Sequence, residues 1–376
     1  MYKYRYILIT LIILLCISLY AYCSEEYCLK TGYEYYKKNF ISSQGRVMDP
    51  ERGNLTTSEG QSYILQRAVA VNDPKTFDFA YKWTKKNLQR RDKLFSWLWD
   101  KDKTGKYRVL DKNSASDADV NIAFALILAY ERWKDKKYLK EALPIVRSIW
   151  RYETRRIGKY RVLMPGAIQA RVEKIEINPS YFHPYAFKFF KNYDKFHDWN
   201  KLVDSSYYYI NASCAKTKTG LSPNWFLIEK NLIVLENSER SDFSYDAIRV
   251  FKKAYWDYIR TGDKRALPVL AKSKFFIKQW KQSKMLYTNY KADGTLRDLN
   301  EFTGSIAILI LPISIYEPKT AVEIYKKKIE PYLFNKENWK VRKDYYTKNL
   351  LWFGCHFYYK ESSEHKEMGE LRKSIF

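Results

Sequence analysis

Residues 118–133 read ADVNIAFALILAYERW, and the segment AFALILAY at their centre would be apolar on every side of a helix. A helix without a polar face is one that other elements bury on all sides. The next stretch, KKYLKEALPIVRSIW (136–150), carries one apolar stripe and a lysine-rich face, which is typical of a surface helix. A buried helix followed by a surface helix predicts two concentric helical layers.

The same helical periodicity continues through most of the chain beyond residue 24, with breaks at Gly, Pro, Asn and Asp. It predicts about twelve helices, near 26–41, 57–72, 75–89, 117–133, 136–153, 180–193, 196–213, 243–260, 263–281, 302–316, 318–333 and 341–359. Three intervening stretches, 94–112, 155–178 and 219–237, are predicted to be loops or short hairpins. Six buried helices paired with six amphipathic ones predict an all-α (α/α)6 barrel, whose inner helices are parallel and begin at one end. No linker divides the pattern, so we predict one domain over residues 25–376.

The N-terminus has the pattern of an export segment. Lys3 and Arg5 precede an apolar stretch from Ile7 to Leu19, which is short for a full membrane span of about 20 residues. Residues 1–24 are therefore predicted to be either a signal peptide or an uncleaved N-terminal membrane anchor. In both cases the domain that follows is secreted or held outside the cytoplasm of a bacterium, and this segment is its predicted membrane contact.

Composition excludes some classes of protein and favours others. The 376 residues are 46% hydrophobic, which is enough for a large core and excludes a disordered chain. The formal charge is +25, but the lysines are scattered over most predicted helices, which favours a solvated surface over a nucleic-acid interface. Aromatic residues make up 17%, including 34 Tyr and 11 Trp, more than a core requires. Rings with polar edges are typical of carbohydrate clefts.

Signals for cofactors are missing from the sequence. There is no GxGxxG, GxxxxGK[ST] or HExxH motif, and the four histidines are not paired at metal-ligand spacing. Three cysteines beyond the export segment, Cys28, Cys214 and Cys355, have no CxxC spacing and are predicted to be buried thiols. We therefore expect neither a cofactor nor a metal.

Acidic residues stand where predicted inner helices begin. Glu59 lies in TTSEGQ, Asp117 in SASDAD and Asp246 in SYDAIR. Each alone is explained by helix capping and the helix dipole, which favour carboxylates in the first turn. Together, at N-termini that converge, they would place several carboxylates at the floor of one cleft. Glycoside hydrolysis requires two such groups, an acid for the leaving oxygen and a base or nucleophile.

At this level of detail the chain resembles glycoside hydrolase family 8 over about residues 27–360. The run from Ala115 to Asp119, followed by Ile122, Ala123, Ala125, Leu126, Ala129 and Trp133, fits the family signature. Supporting motifs follow in the expected order: GRVMDP (45–50), TTSEGQSY (56–63), SWLW (96–99), LDKNSASDAD (110–119), NPSY (178–181), LSPNW (221–225) and SYDAIRV (244–250).

The resemblance implies an inverting endo-β-1,4-glucanase on an (α/α)6 barrel, of the kind that works beside bacterial cellulose synthases. By the same resemblance Glu59 is the expected general acid, Asp246 the general base, and Asp117 the residue that holds the sugar at the cleavage point. The remaining expected roles are positioning of Asp246 and the attacking water by Tyr181 and Arg249, and stacking on glucose rings by Trp97, Trp99 and Trp225. From the residues alone, core packing is the favoured explanation of these tryptophans, and Arg249 is a salt-bridge partner of Asp246.

One departure and several alternatives remain. Ile64 and Leu65 follow SEGQSY where the family usually has Gly and Met, a change in packing that removes no reacting group. The positive charge counts against chitosan, a polycation, and leaves neutral β-glucan ahead of xylan or an acidic exopolysaccharide. A catalytically weak glycan-binding scaffold and a nucleic-acid binder are the other classes, and the intact acidic trio and the scattered lysines argue against them.

Overall fold

The computed structural model describes residues 27–339 and 344–361. Within these residues fourteen α-helices carry most of the chain: α1 Gly32–Phe40, α2 Ser58–Ala70, α3 Pro74–Leu88, α4 Ser116–Trp133, α5 Lys136–Tyr152, α6 Pro184–Tyr193, α7 Asn200–Cys214, α8 Ile248–Thr261, α9 Leu267–Leu270, α10 Lys274–Ser283, α11 Thr303–Tyr316, α12 Pro318–Ile324, α13 Glu330–Phe334 and α14 Tyr345–His356. Short 3₁₀ segments lie at Pro50–Arg52, Pro179–Tyr181, Glu239–Ser241, Lys264–Ala266, Ala271–Ser273 and Lys336–Trp339, and π-helical turns at Tyr27–Thr31, Tyr325–Ile329 and Phe357–Glu361.

Helices α2, α4, α6, α8, α11 and α14 form the inner ring, each packed against the next in that order. The ring closes between α2 and α14, where the Arg67 guanidinium donates to the Lys348 carbonyl at 3.3 Å and to Asn349 Oδ1 at 3.0 Å. Outside this ring α3, α5 and α7 pack on α2, α4 and α6, while α10 and α12 pack on α11. The predicted all-α (α/α)6 barrel is confirmed.

The predicted helices are present, with differences at their boundaries. Helix α6 begins at Pro184 rather than near residue 180, because proline lacks an N–H and fits the first helical turn. The predicted helix 263–281 is divided into α9, α10 and two 3₁₀ turns, and 318–333 into α12, a π-helical turn and α13. Helix α8 begins at Ile248, so the expected helical position of Asp246 was wrong: Asp246 lies in the turn just before the helix.

Three small antiparallel sheets lie in or next to the stretches predicted as loops or hairpins, except for one short strand just before α2. They pair β1 (Thr56–Thr57), β2 (Ser96–Lys101) and β3 (Tyr107–Ser114); then β4 (Thr154–Ile157) with β5 (Tyr160–Leu163); and β6 (Ile175–Ile177), β7 (Phe226–Glu229) and β8 (Leu232–Val234). Strand β1 leads directly into α2 and β3 into α4, so the first sheet fixes where both inner helices start.

The start of α2 is held by a cap and by a close approach. The Thr57 hydroxyl accepts a hydrogen bond from the Gly60 amide at 3.1 Å, which satisfies one free helical donor. A Cβ at Gly60 would stand 2.8 Å from the Tyr345 hydroxyl, so a larger residue there would have to displace that hydroxyl.

Two cysteines of the barrel differ in state. Cys214 is a buried free thiol, as predicted. Cys355 is also buried but is disulfide-bonded, so the prediction of a free thiol there was wrong. Spacing along the chain carries no signal for a bridge between segments that only the fold brings together.

Two searches cover the described part of the chain only. None of its helices combines the length and hydropathy needed to cross a bilayer, and no group of three or more His, Cys, Asp or Glu side chains is arranged to hold a metal ion. The predicted export segment, residues 1–24, lies outside the described residues.

Candidate active site

Glu59 stands in the first turn of α2, at the end of the ring where the inner helices begin. Its side chain is 25% exposed and therefore reachable from solvent. The Tyr63 hydroxyl, one helical turn further on, and Arg249 Nη1 both donate to Glu59 Oε1. Two donors thus fix one carboxylate oxygen.

Asp117 occupies the equivalent first turn of α4 and is almost fully buried. Its Oδ1 accepts from the Ala118 amide at 2.9 Å, and its Oδ2 lies 3.4 Å from Arg249 Nη1. Burial, and next the charge of Glu59, raise the pKa of Asp117 to about 6. This carboxylate therefore changes charge within the range of a mildly acidic medium.

Asp246 approaches the same space from the turn before α8, with its side chain 35% exposed. Its Oδ2 accepts from Asn178 Nδ2 at 3.1 Å and from the Trp225 indole N–H at 3.2 Å. Its Oδ1 accepts from Arg249 Nη2 at 2.6 Å. Three donors from three segments orient this carboxylate while part of it faces solvent.

Arg249, in the first turn of α8, joins all three carboxylates. Burial alone would lower the pKa of Arg249, but the negative groups around it, among them Glu59 and Asp246, raise it well above its usual value. Its Nη2 also donates to the Ser180 hydroxyl at 2.9 Å. Arg249 Nη1 bonds Glu59 Oε1, and Nη2 of the same guanidinium bonds Asp246 Oδ1. The distance between these two carboxylate oxygens therefore cannot exceed two hydrogen-bond lengths plus the Nη1–Nη2 distance.

The aromatic residues of the predicted site differ in their surroundings. Tyr181 ends the 3₁₀ turn before α6, and its ring lies 5.8 Å from that of Trp225 and 5.7 Å from the Arg249 guanidinium. Trp97 is exposed on β2, whereas Trp99 on the same strand packs edge-on against Trp83 at 5.7 Å. Tyr181 and Trp225 therefore lie beside the carboxylates, and Trp97 and Trp99 belong to the strand that pairs with β1.

Comparison with known proteins agrees with this geometry. Residues 1–318 match the model of "Glycosyl hydrolases family 8". The chain belongs to this family. An endoglucanase of Salmonella typhi is 33% identical over 265 residues, 69% of this chain and 70% of that protein. An endoglucanase of Escherichia coli K12 is 35% identical over 238 residues, which is 61% of this chain and 63% of the relative, so the match spans less than two thirds of that relative's length.

A solved endo-1,4-D-glucanase from Vibrio fischeri ES114 has the same fold. It superposes with a TM-score of 0.77 at 29% identity, over 88% of this chain and 95% of that one. The chain therefore shares the sequence pattern of the family and the helical barrel of this solved glucanase.

Sequence analysis assigned no role to three residues that contact the carboxylates or their supports. Tyr63 follows Glu59 by four positions, so helical spacing alone places it on the same face. Asn178 caps the 3₁₀ turn through its hydrogen bond from the Ser180 amide at 3.0 Å, and reaches Asp246 with its other amide atom. Lys253 Nζ donates to the Ser180 carbonyl at 2.6 Å and so holds the 3₁₀ turn Pro179–Tyr181 against α8. Only the first of the three had a signal in the sequence.

Asp119, two residues after Asp117, points away from the cleft. Its Oδ1 accepts from the Phe95 amide at 2.8 Å, and burial, and next the charge of Glu153, raise the pKa of Asp119 well above its usual value. Glu153 in turn accepts from the Ser114 hydroxyl at 2.6 Å. Both carboxyl groups have a raised pKa, and a proton on one of them removes the repulsion between two buried negative charges.

Proposed function

We propose that this protein is an inverting endo-β-1,4-glucanase that cuts cellulose-like β-glucan. The observation that carries the proposal is the position of Glu59, in the first turn of α2, and Asp246, in the turn before α8, which approach one space and are linked by Arg249. Inverting hydrolysis needs two carboxyl groups that face each other across the sugar, with room for a water molecule, at about 6.5 to 9.5 Å.

In the proposed reaction Glu59 carries a proton when the glycan is bound and donates it to the glycosidic oxygen as the bond from that oxygen to C1 breaks. Asp246 accepts a proton from a water molecule whose oxygen bonds to C1 from the opposite face, and the β-linkage yields an α-anomer. Asp117 holds the sugar at the cleavage point, and Tyr181 and Arg249 orient Asp246 and the water.

The choice of glucan rests on the cleft's chemistry and on the relatives. Tyr181 and Trp225 beside the carboxylates, and Trp97 and Trp99 on β2, are the rings that we expect to stack on glucose units. The relatives named above are endoglucanases, and the net charge of +25 disfavours a cationic polymer such as chitosan. Xylan or an acidic exopolysaccharide is the alternative substrate, and a glycan-binding scaffold without turnover is the alternative function.

We further propose that the catalytic domain, residues 25–376, works outside the cytoplasm, secreted or tethered through residues 1–24, and beside a polysaccharide synthase. The charged and apolar pattern of residues 1–24 supports export. The disulfide at Cys355 supports it independently, because disulfides persist in oxidising compartments. Fractionation of cells should find the protein outside the cytosol; full-length protein in the cytosolic fraction would refute export.

The activity is tested by incubating the purified protein with carboxymethyl-cellulose, lichenan, xylan and chitosan. We expect a rapid fall in the viscosity of carboxymethyl-cellulose, mixed oligosaccharide products, and an α-anomer first in the NMR spectrum. A β-anomer would overturn the inverting assignment, and release of monosaccharide alone would overturn the endo assignment.

The residue roles are tested with Glu59→Gln and Asp246→Asn. Each should lower turnover by about 10²- to 10⁴-fold while the protein stays folded, because both changes keep the side-chain shape. Asp198→Asn is the control, since Asp198 is a surface carboxylate whose side chain is 52% exposed. Ordinary activity in Asp246→Asn would contradict the assignment of the base.

A further inference from the structure

The carboxylate of Asp246 is carried by a turn and not by a helix, so its position depends on what holds that turn. The turn runs from Ser244 to Ala247, and α8 begins at the next residue, Ile248. A side chain directly before a helix often accepts from the amides at its start, but alanine has no polar side chain for this. Ala247 is buried, and a buried backbone N–H needs a partner. The amides of this turn therefore need an acceptor from elsewhere in the chain.

Asn224 supplies that acceptor from the loop between α7 and β7. Its Oδ1 accepts from the Ala247 amide at 3.0 Å and from the Ser244 amide at 3.3 Å. Its Nδ2 donates to the Ser244 hydroxyl at 2.7 Å. One amide side chain thus bonds the residue two positions before Asp246 and the residue directly after it.

The orientation of Asn224 is itself fixed by its surroundings. The residue is buried, its Nδ2 also donates to the Glu239 carbonyl at 3.3 Å, and its backbone amide donates to the Asp242 carbonyl at 2.7 Å. Backbone N–H groups can only donate and carbonyls can only accept. The amide oxygen of Asn224 must therefore face the turn amides, with its NH₂ towards the Ser244 hydroxyl and the Glu239 carbonyl.

The same loop also reaches the carboxylate. Trp225, the next residue, donates from its indole N–H to Asp246 Oδ2 at 3.2 Å. Across the ring, the Tyr346 hydroxyl on α14 donates to the Tyr245 carbonyl at 2.7 Å. Backbone and side chain of the turn are thus held together, and Asn224 makes the hydrogen bonds on both sides of Asp246.

We propose that Asn224 is a positioning residue for the reaction, which holds Asp246 where its carboxylate can accept a proton from the attacking water. It acts through the backbone of Ser244 and Ala247 rather than through a contact with the sugar. A shift of about 1 Å in a reacting group can lower a rate about 10²-fold. The inference rests on the proposed role of Asp246 as the base.

Steady-state kinetics on carboxymethyl-cellulose at pH 7 test this role. Asn224→Leu keeps the approximate shape of the side chain and removes its acceptor and its donor. It should lower kcat about 10²-fold and change KM by less than about 3-fold, because the groups that bind the sugar stay in place. Ser244→Ala removes only the hydroxyl that Nδ2 bonds and should lower kcat about 3- to 10-fold, again with little change in KM. If Asn224→Leu does not fold, Ser244→Ala decides by itself.

Asn349→Leu is the matched control. Asn349 is also a buried amide, whose Oδ1 accepts from Arg67 Nη2 at 3.0 Å and whose Nδ2 donates to the Tyr345 carbonyl at 3.0 Å. Both its partners belong to the contact between α2 and α14, and neither bonds Asp246. Asn349→Leu should lower the urea midpoint of unfolding as Asn224→Leu does, while kcat of the folded protein stays near the wild-type value.

Wild-type kcat in both Asn224→Leu and Ser244→Ala would overturn the proposal, and so would a loss confined to KM. An equal fall of kcat in Asn349→Leu would also overturn it, because the effect would then follow stability alone. Asp246→Asn, measured in parallel, separates this inference from the proposed function. Ordinary activity in that variant would refute the base itself, whereas an inactive Asp246→Asn beside an ordinary Asn224→Leu would refute the positioning role alone.

Discussion

Two groups of carboxylates lie side by side at the start of α4, one partly exposed and one buried, and they are stabilised in opposite ways. Asp117 faces the cleft, where Arg249 joins it to Glu59 and Asp246. Asp119 faces the sheet side, where it meets Glu153 and no cation forms a salt bridge with the pair in the described part of the chain. In the first group one guanidinium offsets part of the negative charge, and in the second a proton removes negative charge.

The comparison shows what a buried carboxylate needs in order to stay charged. Burial raises the pKa of Asp117 only to about 6, because Arg249 opposes the effect. At the other pair, burial raises the pKa of Glu153 to about 8, and the pKa of Asp119 is raised well above its usual value. Asp117 is therefore mostly ionised at neutral pH. The Asp119–Glu153 pair keeps a proton and connects α4 to the end of α5.

Removing the cation should have the largest effect. Arg249→Met leaves three carboxylates without their shared countercharge, and breaking a buried ion pair in this way costs about 3–5 kcal/mol of unfolding free energy. Urea denaturation at pH 7 measures the loss, which should shrink at pH 5 as the carboxylates take up protons. Arg265→Met is the control, since Arg265 is 48% exposed in its pair with Asp263, and should cost less than about 1 kcal/mol. Equal losses in the two variants would mean that Arg249 is not the stabilising charge.

Replacing Glu153 by a residue that does not titrate should change how the free energy of unfolding depends on pH. Unfolded carboxyl groups lose their protons near pH 4, whereas folded Glu153 has a pKa of about 8. The folded state thus binds more protons in this interval, so its stability falls as the pH rises, by up to about 1.4 kcal/mol per pH unit. Glu153→Gln keeps a neutral partner for Asp119 and should flatten the dependence between pH 5 and 8.

The control for this change is Glu141→Gln, which alters a carboxylate on the outer helix α5 that pairs with Lys85. Its unfolding free energy should follow the wild-type pH dependence. A Glu153→Gln protein whose stability falls with pH as steeply as the wild type would show that the pair does not share a proton.

Two adjacent buried lysines on α8, Lys252 and Lys253, also differ in whether hydrogen bonds stabilise the charged group. Lys253 Nζ donates to the Ser180 and Tyr181 carbonyls at 2.6 and 3.2 Å, whereas Lys252 Nζ lies 4.3 Å from the centroid of the Phe353 ring. Lys253→Met should cost about 1–3 kcal/mol, because two buried acceptors lose their donor. Burial lowers the pKa of Lys252 to about 7, so Lys252→Met should change stability at pH 7 by less. Chemical denaturation of both variants decides, and a larger loss in Lys252→Met would reverse the assignment.

The smallest change concerns a single hydroxyl. Tyr63→Phe removes one of the two donors to Glu59 and should lower kcat about 10-fold with little change in KM, because the loss affects the reacting group. Tyr36→Phe is the matched control: it removes a buried hydroxyl that contacts Tyr345 at 3.2 Å and none of the three site carboxylates. Equal kcat in the two variants would show that the Tyr63 hydroxyl does not act on Glu59.

Much of the fold could be predicted because its signals are local. The apolar centre of α4 and the amphipathic pattern of α5 each lie within one helix, and their alternation repeats along the chain. The three acidic residues were identified for the same reason, since each lies near the start of an inner helix or in the turn before it. Export and the roles of the site residues remain predictions.

Contacts between residues far apart in the sequence were decided only by the tertiary structure. Nothing local distinguishes Asp117 from Asp119; the fold does, by placing Arg249 beside one and Glu153 beside the other. The Cys355 disulfide and the donors Asn178 and Lys253 were missed for the same reason. A hydropathy pattern shows which face of its own helix a residue occupies. The charge state of that residue depends instead on the side chains that other helices bring within hydrogen-bond distance.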